Sequence, residues 1–259
     1  MRCGPVLSLL ILTVMCPAWP ALGASLPRCA GPVEISNANV VRVERNGVLV
    51  LSDGRAVELE GIRLPLSQPG PAGVQALAVL RGMTASATVT FTAVPPKEDR
   101  YDRVRAQGFA GGTWLQAALL EKGLARVAIS PDRNECSVEL LAAEARGRAG
   151  MAGAWEGGAA SRYRVRSPEE MRRTAGTFQV VEGRVTNIGQ AGGRAFIDFS
   201  DDWQRGFSAI IAPDDRRRFR GYDLNELAAH RIRVRGIVQD YRGRPEIALS
   251  NPSQIESVD

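Results

Sequence analysis

Apolar and polar residues alternate through positions 40–43, 48–51 and 56–62, and the breaks between these runs fall at Asn46-Gly47 and Asp53-Gly54. A period of two interrupted by glycine-bearing turns predicts a three-stranded meander. The period then changes: Val74, Leu77, Ala78 and Leu80 share one side of a helix over 73–83, with Gly82 near its end. Residues 84–94, rich in threonine and valine, return to strand and stop at Pro95-Pro96. After the charged loop 97–102 the pattern predicts a strand over 104–110, a turn at Gly111-Gly112, and a helix over 114–122 stopped by Gly123. A further helix spans 136–151. Three strands, a helix, two strands and then helices is an α+β order with a small closed barrel as its core.

The strand period resumes at 179–188, 194–199, 207–212, 231–238 and 246–249, with a helix-compatible segment over 214–229 between the third and fourth runs. That is the element order of an OB-type barrel. Between the two sets lies a stretch rich in glycine, arginine and serine. At the front, Arg2 precedes an apolar run over 6–15 and the small-x-small triplet Ala21-Leu22-Gly23, the pattern of an export signal. The run is shorter than the roughly 20 residues a bilayer span requires, and the bulky Met15 before Cys16 argues against a lipid anchor. The reading is therefore an export signal over 1–23, a first domain over 24–155, a linker over 156–176 and a second domain over 177–259. The mature chain is expected to be periplasmic or secreted, with no membrane span.

A composition of 44% hydrophobic and 24% charged residues fits ordinary globular domains. The net charge of +5 permits a polyanionic partner without requiring one: the basic residues are spread over both halves and are nearly all arginine, Lys97 and Lys122 being the only lysines. Once the signal is removed, Cys29 and Cys136 are the only cysteines. In an oxidising compartment they favour one bridge over two separate thiols.

Five motifs carry a resemblance. They are Asp53-Gly54 with Val57-Glu58-Leu59-Glu60-Gly61-Ile62-Arg63-Leu64-Pro65; Asp99-Arg100-Tyr101-Asp102-Arg103; Gly112-Thr113-Trp114-Leu115-Gln116; Glu121 through Val127; and Glu144-Ala145-Arg146 running to Trp155. In order, spacing and type, residues 37–155 resemble the staphylococcal thermonuclease family, and residues 177–258 resemble an OB-like tail. The resemblance implies a mainly β fold with α elements, an OB-type five-stranded barrel with added helices followed by a second OB-like barrel. It also implies calcium-dependent hydrolysis of nucleic-acid phosphodiesters: carboxylates hold a hard cation, and two arginines neutralise charge on the phosphate.

The residues at those positions depart from the family's pattern. Arg45-Asn46-Gly47-Val48 replaces the acids of the first hairpin, Glu58 replaces an arginine, Arg63 an acid and Leu66 a glutamate. Arg103 alone is retained as a candidate catalytic residue, and there Asp102 replaces a glycine. A guanidinium ~4 Å from a divalent ion repels it by about 4 kcal/mol per unit pair at an effective dielectric near 20. Calcium is therefore expected to be excluded, leaving no metal and no cofactor unless the nuclease reading holds. The complementary changes predict a structural ion pair of Glu58 with Arg63 or Arg45. The site is read as a dismantled catalytic centre on a retained fold.

For a nucleic-acid-binding module the candidate contacts are Tyr101 and Arg103, then Trp203, Arg233, Arg235 and Tyr241, because exposed aromatics between basic side chains stack single-stranded bases. The bland alternative makes Arg231, Arg233 and Arg235 the solvent face of an alternating strand and His230 a surface residue. Single-stranded nucleic acid and envelope proteins are the partners considered. A relocated or residual nuclease activity is the enzymatic alternative.

Overall fold

A computed structural model describes residues 26–66, 71–156, 164–202 and 204–258; the expected signal and Trp203 lie outside them. Strands β1 (Val33–Ala38), β2 (Val40–Val43), β3 (Leu49–Leu51), β4 (Ala56–Leu59) and β5 (Ile62–Arg63) precede helix α1 (Ala72–Ala85). Strands β6 (Val89–Thr92), β7 (Val104–Ala110) and β8 (Thr113–Trp114), helix α2 (Leu115–Glu121), β9 (Arg126–Val127) and helix α3 (Ser137–Ala149) complete the first half. The second half holds α4 (Pro168–Arg172), β10 (Phe178–Arg184), β11 (Asn187–Ala191), β12 (Arg194–Asp198), β13 (Ser208–Ile211), β14 (Arg231–Tyr241), β15 (Arg244–Ala248) and β16 (Ile255–Ser257).

Each half is one mostly β unit. The first sheet runs β1-β6-β7-β4-β3-β2 with β8 on β7, and the second runs β10-β14-β15-β13-β12-β11 with β16 on β14. The two-residue alternation is honoured: Leu49, Leu51, Val57, Leu59, Phe91 and Ala106 turn into one core, and Ile197, Ala209, Ile211, Ile232, Val234 and Ile247 into the other. Closure of the expected barrels is not seen. Among the described residues both sheets are open paths, and the end strands β1 and β2 carry register shifts against their partners, irregularities that twist an edge and end its pairing.

The helices form where the pattern placed them, but the buried side of α1 is a correction: Gly73, Ala76, Leu77 and Leu80 face inward, whereas Val74, expected with Leu77 and Leu80, is 73% exposed and Ala78 is exposed too. Gly123 stops α2 at φ +63°, with a hypothetical Cβ only 1.9 Å from the Ala152 carbonyl oxygen. Gly147 lets α3 lie against α2, since a Cβ there would meet the Leu120 carbonyl at 2.4 Å. Cys29 and Cys136 are bridged, with Cα atoms 5.0 Å apart, tying the first residues of the domain to the start of α3.

Two segments differ from the sequence reading. The helix-compatible stretch 214–229 forms two short 3-10 turns, Pro213–Phe219 and Leu224–Leu227, separated by Gly221 at φ +83°; a glycine in that conformation interrupts an α-helix. The described part of the expected linker is not bare coil. It contains α4, started by a capping box between Ser167 and Glu170, and Met171 on α4 is buried in the second core.

Candidate functional site

Parallel pairing of β4 with β7 places Glu58 beside Arg105 and Leu59 beside Ala106, so the charged side chains of both strands converge on one cavity of about 510 Å³. Glu58, Glu60, Asp99, Arg103, Arg105, Arg63 and Ser130 line it, with Asn46 and Gly47 of the first hairpin turn at its rim. This is the pocket that the family resemblance marks as catalytic.

Arg103, just before β7, and Arg105 on it are each already held by two carboxylates. The Arg103 guanidinium donates to Asp99 at 2.7 Å through Nε and pairs with Glu58 at 2.9 Å. Arg105 donates to Glu60 at 2.7 Å and to Asp132 at 2.9 Å, and the Ser130 hydroxyl donates to the other Glu60 oxygen at 3.0 Å. Asp99 also organises its own turn, accepting the backbone N–H of Tyr101 at 2.8 Å and of Arg103 at 3.1 Å. Asp102 occupies that turn at φ +58°; the glycine-type backbone survives, because aspartate tolerates left-handed geometry better than most residues.

The electrostatics follow from the pairing. Burial raises the Glu58 carboxyl above the usual glutamate range, Arg103 pulls it back only in part, and Asp99 and Glu60 add to the rise. Burial opposes ionisation of Asp99, but hydrogen bonds from Arg103 and the turn amides outweigh it and hold its pKa below the ordinary value. Burial likewise opposes the charge on Arg105, yet Glu60 and Asp132 hold its proton more tightly than in water.

The expected partner of Glu58 is corrected. Among the described residues it forms no ion pair with Arg45 or Arg63 and takes Arg103 instead. The reason is strand register. Glu58 and the start of β7 lie side by side, whereas Gly61 at φ +82° breaks β4 before Arg63, whose guanidinium turns to the ring of Phe178 in the second half at 5.7 Å. Arg45 is exposed in the turn between β2 and β3. Glu58 is thus a counter-ion of Arg103.

The donor set does not fit calcium. The position after the β4 turn carries a guanidinium, the next expected ligand is Leu66, and Glu58, Glu60 and Asp99 all face arginines. Among the described residues the converging group of metal-type donors is Cys29, Cys136 and Glu139, and its two sulfurs are bonded to each other.

The binding candidates divide sharply. Tyr101 is 62% exposed, with the guanidinium carbons of Arg100 and Arg103 at 4.8 and 5.1 Å from its ring centroid. Tyr241 is 42% exposed, with Arg194 and Arg242 each at 5.6 Å, and Arg244 stands 5.3 Å over Phe196 of β12. Trp203 lies outside the described residues. Arg233 is bound to the buried Glu182 at 2.8 Å, opposite it in the β10–β14 ladder.

Arg235 is a correction of a different kind: it is wholly buried and unavailable to any ligand. It reaches across to the first half, donating to the Val127 carbonyl at 3.1 Å and to Glu144 at 3.0 Å, while Glu256 takes its other nitrogen. Arg148 completes the cluster by pairing with Glu144 at 2.7 Å and Glu256 at 3.1 Å. Alternation alone would give Arg235 to solvent with its odd-numbered neighbours on β14, but it is pressed against α3 and β9 while Ile237 and Tyr241 stay exposed. A buried acid in α3 was the sequence signal: Glu144 falls in line with Leu140, Ala143 and Gly147 on the apolar face of that helix.

Comparison with known proteins agrees with the first half. The family model described as staphylococcal nuclease homologue matches residues 56–157, a span that begins after the Arg45–Gly47 turn, and no curated protein matches the chain. Residues 56–157 thus match the staphylococcal nuclease homologue family, and the second sheet is consistent with an OB-like domain after it.

Proposed function

We propose that this protein is exported and binds single-stranded nucleic acid without cleaving it. The observation that carries the reading is the arginine-flanked Tyr241 ring on the hairpin of β14 and β15, beside Arg244 over Phe196. An exposed ring with two guanidinium groups beside it offers a stacking surface for a base and charge for the adjoining phosphates. Loss of catalysis is supported by Glu58, which occupies an arginine's place and neutralises Arg103. A phosphate entering that pocket meets guanidinium groups already paired and a carboxylate that repels it. Export is supported by the charged-then-apolar order of residues 2–23 and by the Cys29–Cys136 bridge, a bond that persists in oxidising compartments.

The test incubates the purified chain lacking residues 1–23 with labelled single-stranded DNA, with and without calcium, and scores retention and cleavage together. Retention of uncut DNA that weakens steeply with salt is expected, and Tyr241→Ala should weaken it by about 1–3 kcal/mol, the usual contribution of one stacked base. Calcium-stimulated cleavage that disappears in Arg103→Ala would establish a nuclease instead. DNA left both unbound and uncut would point to a protein partner in the envelope.

A further inference from the structure

Strands β11 and β12 pair with Asn187 opposite Asp198, Gly189 opposite Phe196 and Ala191 opposite Arg194. Alternation along a strand puts these residues on one face of the second sheet, while Ala195 and Ile197 turn from the other face into its core. Arg244 of β15 reaches the same face: its guanidinium stands 5.3 Å from the Phe196 ring centroid and pairs with Glu246 at 3.2 Å. Asn187, Gly189, Ala191, Phe196, Asp198 and Arg244 line a cavity of about 300 Å³. That is the lower end of the range for ligand pockets, a size for one base rather than a longer stretch.

The lining suits a flat ring with a polar edge. Gly189 keeps the space beside Phe196 open: among the described residues, a Cβ built there would meet the Asn187 Nδ2 alone, at an ordinary 3.6 Å. Phe196 and Arg244 supply an aromatic and a guanidinium plane, the two kinds of surface on which unpaired bases stack. Asp198 is only 4% exposed, and its carboxylate accepts from the Ser208 hydroxyl at 2.7 Å and from the Asn187 side-chain amide at 3.2 Å. Both donors are neutral, and a carboxylate has about four lone-pair sites, so it can accept further hydrogen bonds. The cavity also adjoins the Tyr241 surface. Arg244 is paired with Tyr241 across the β14–β15 ladder, and Arg194, opposite Ala191, stands 5.6 Å from the Tyr241 ring.

We propose that this cavity reads the edge of a second base in the strand stacked on Tyr241, and that Asp198 makes it favour bases with an exocyclic amino group over uracil and thymine. A carboxylate can only accept. Cytosine and adenine bring it an amino group, whereas uracil brings one N–H flanked by two oxo groups whose lone pairs then face the carboxylate oxygens. The inference rests on the nucleic-acid reading proposed above and adds to it a base preference with a named residue behind it.

The test measures, by fluorescence anisotropy at one salt concentration, the affinity of the chain from residue 24 onward for an oligodeoxycytidine and an oligodeoxyuridine of equal length, strands that differ only at the base edge. The cytidine strand should bind roughly tenfold more tightly, the usual scale for one well-made contact to a base edge. Asp198→Asn exchanges one acceptor oxygen for a donor of the same shape. It should erase the preference and bind the uridine strand more tightly than the unmodified protein does, a gain that a damaged fold cannot produce. Gly189→Val should fill the cavity and weaken the cytidine strand most, and Tyr241→Ala should weaken both strands alike and keep the preference. Equal affinities of the unmodified protein for the two strands, or an unchanged ratio in Asp198→Asn, would overturn the pocket and leave the Tyr241 surface standing. Free deoxycytidine monophosphate that displaces the strand at equal base concentration would overturn it in favour of a nucleotide site. An unmodified chain that binds neither strand would overturn both the pocket and the nucleic-acid reading.

Discussion

Glu58 sits where two demands conflict: its strand position draws it into a cavity, and its charge finds only the already shared Arg103. Burial raises its pKa above the ordinary 4.5. A carboxyl whose folded pKa is raised gives the folded state its advantage below the unfolded value, and that advantage is lost as pH rises through the folded pKa. Glu58→Gln should therefore remove a fall in stability between pH 4 and neutrality, read from urea midpoints at several pH values. Because the side chain is 45% exposed, the change should stay within about 1 kcal/mol. A variant whose midpoints still follow the unmodified protein would show that Glu58 does not titrate in this way. Glu256 has the opposite sign. Burial opposes its charge, but Arg235, Arg148 and Arg233 outweigh burial and hold its pKa below 4.5. Its contribution is complete above that value and is lost as pH falls through the depressed folded pKa. Glu256→Gln should flatten the acid limb of the stability curve, and a limb of unchanged steepness would contradict the assignment.

At the scale of elements, β14 is the strand on which the two halves depend. Ile232, Val234 and Val238 face the core of its own sheet, and Arg235 faces the other half. Leaving Glu144 buried without its guanidinium should be costly: Arg235→Ala is expected to destabilise the chain by about 3–5 kcal/mol, the usual result of removing one partner of a buried pair. The double change Arg235→Met with Glu144→Gln should cost less than the single one, since no charge is left stranded. Thermal unfolding of the three proteins compares these directly, and a single variant as stable as the parent would deny the cluster its role. The period-two and helical patterns placed most of these elements because they record which face each residue turns to its own core. They failed over 214–229, where a helical spacing of apolar residues could not overcome Gly221 and a run of like charges at Arg216–Arg218.

At the scale of the molecule, the Cys29–Cys136 bridge spans a sequence separation of 107 and encloses the whole first sheet, from β1 to β8. The chain-entropy account gives a loop of that length about 4–5 kcal/mol as an upper figure. Reduction should lower the unfolding midpoint of the first half without abolishing its core, which Leu49, Leu80, Phe91, Leu119 and Leu140 fill at no exposure. Equal midpoints for the reduced and oxidised chain would show that the unfolded state gains little freedom when the bridge opens. The shared cluster of Arg235, Glu144, Glu256 and Arg148 adds a second tie, this one between halves.

Composition and periodicity by themselves determined two mostly β units, the helices of the first, the cysteine pair and the replacement of acids by Arg45 and Arg63, because each is a property of residue type or of neighbours along the chain. The partner of Glu58 and the burial of Arg235 were decided only by tertiary structure. Each depends on residues 45 to more than 90 positions apart, and alternation along a strand says which residues share a face but not what, if anything, is packed against it.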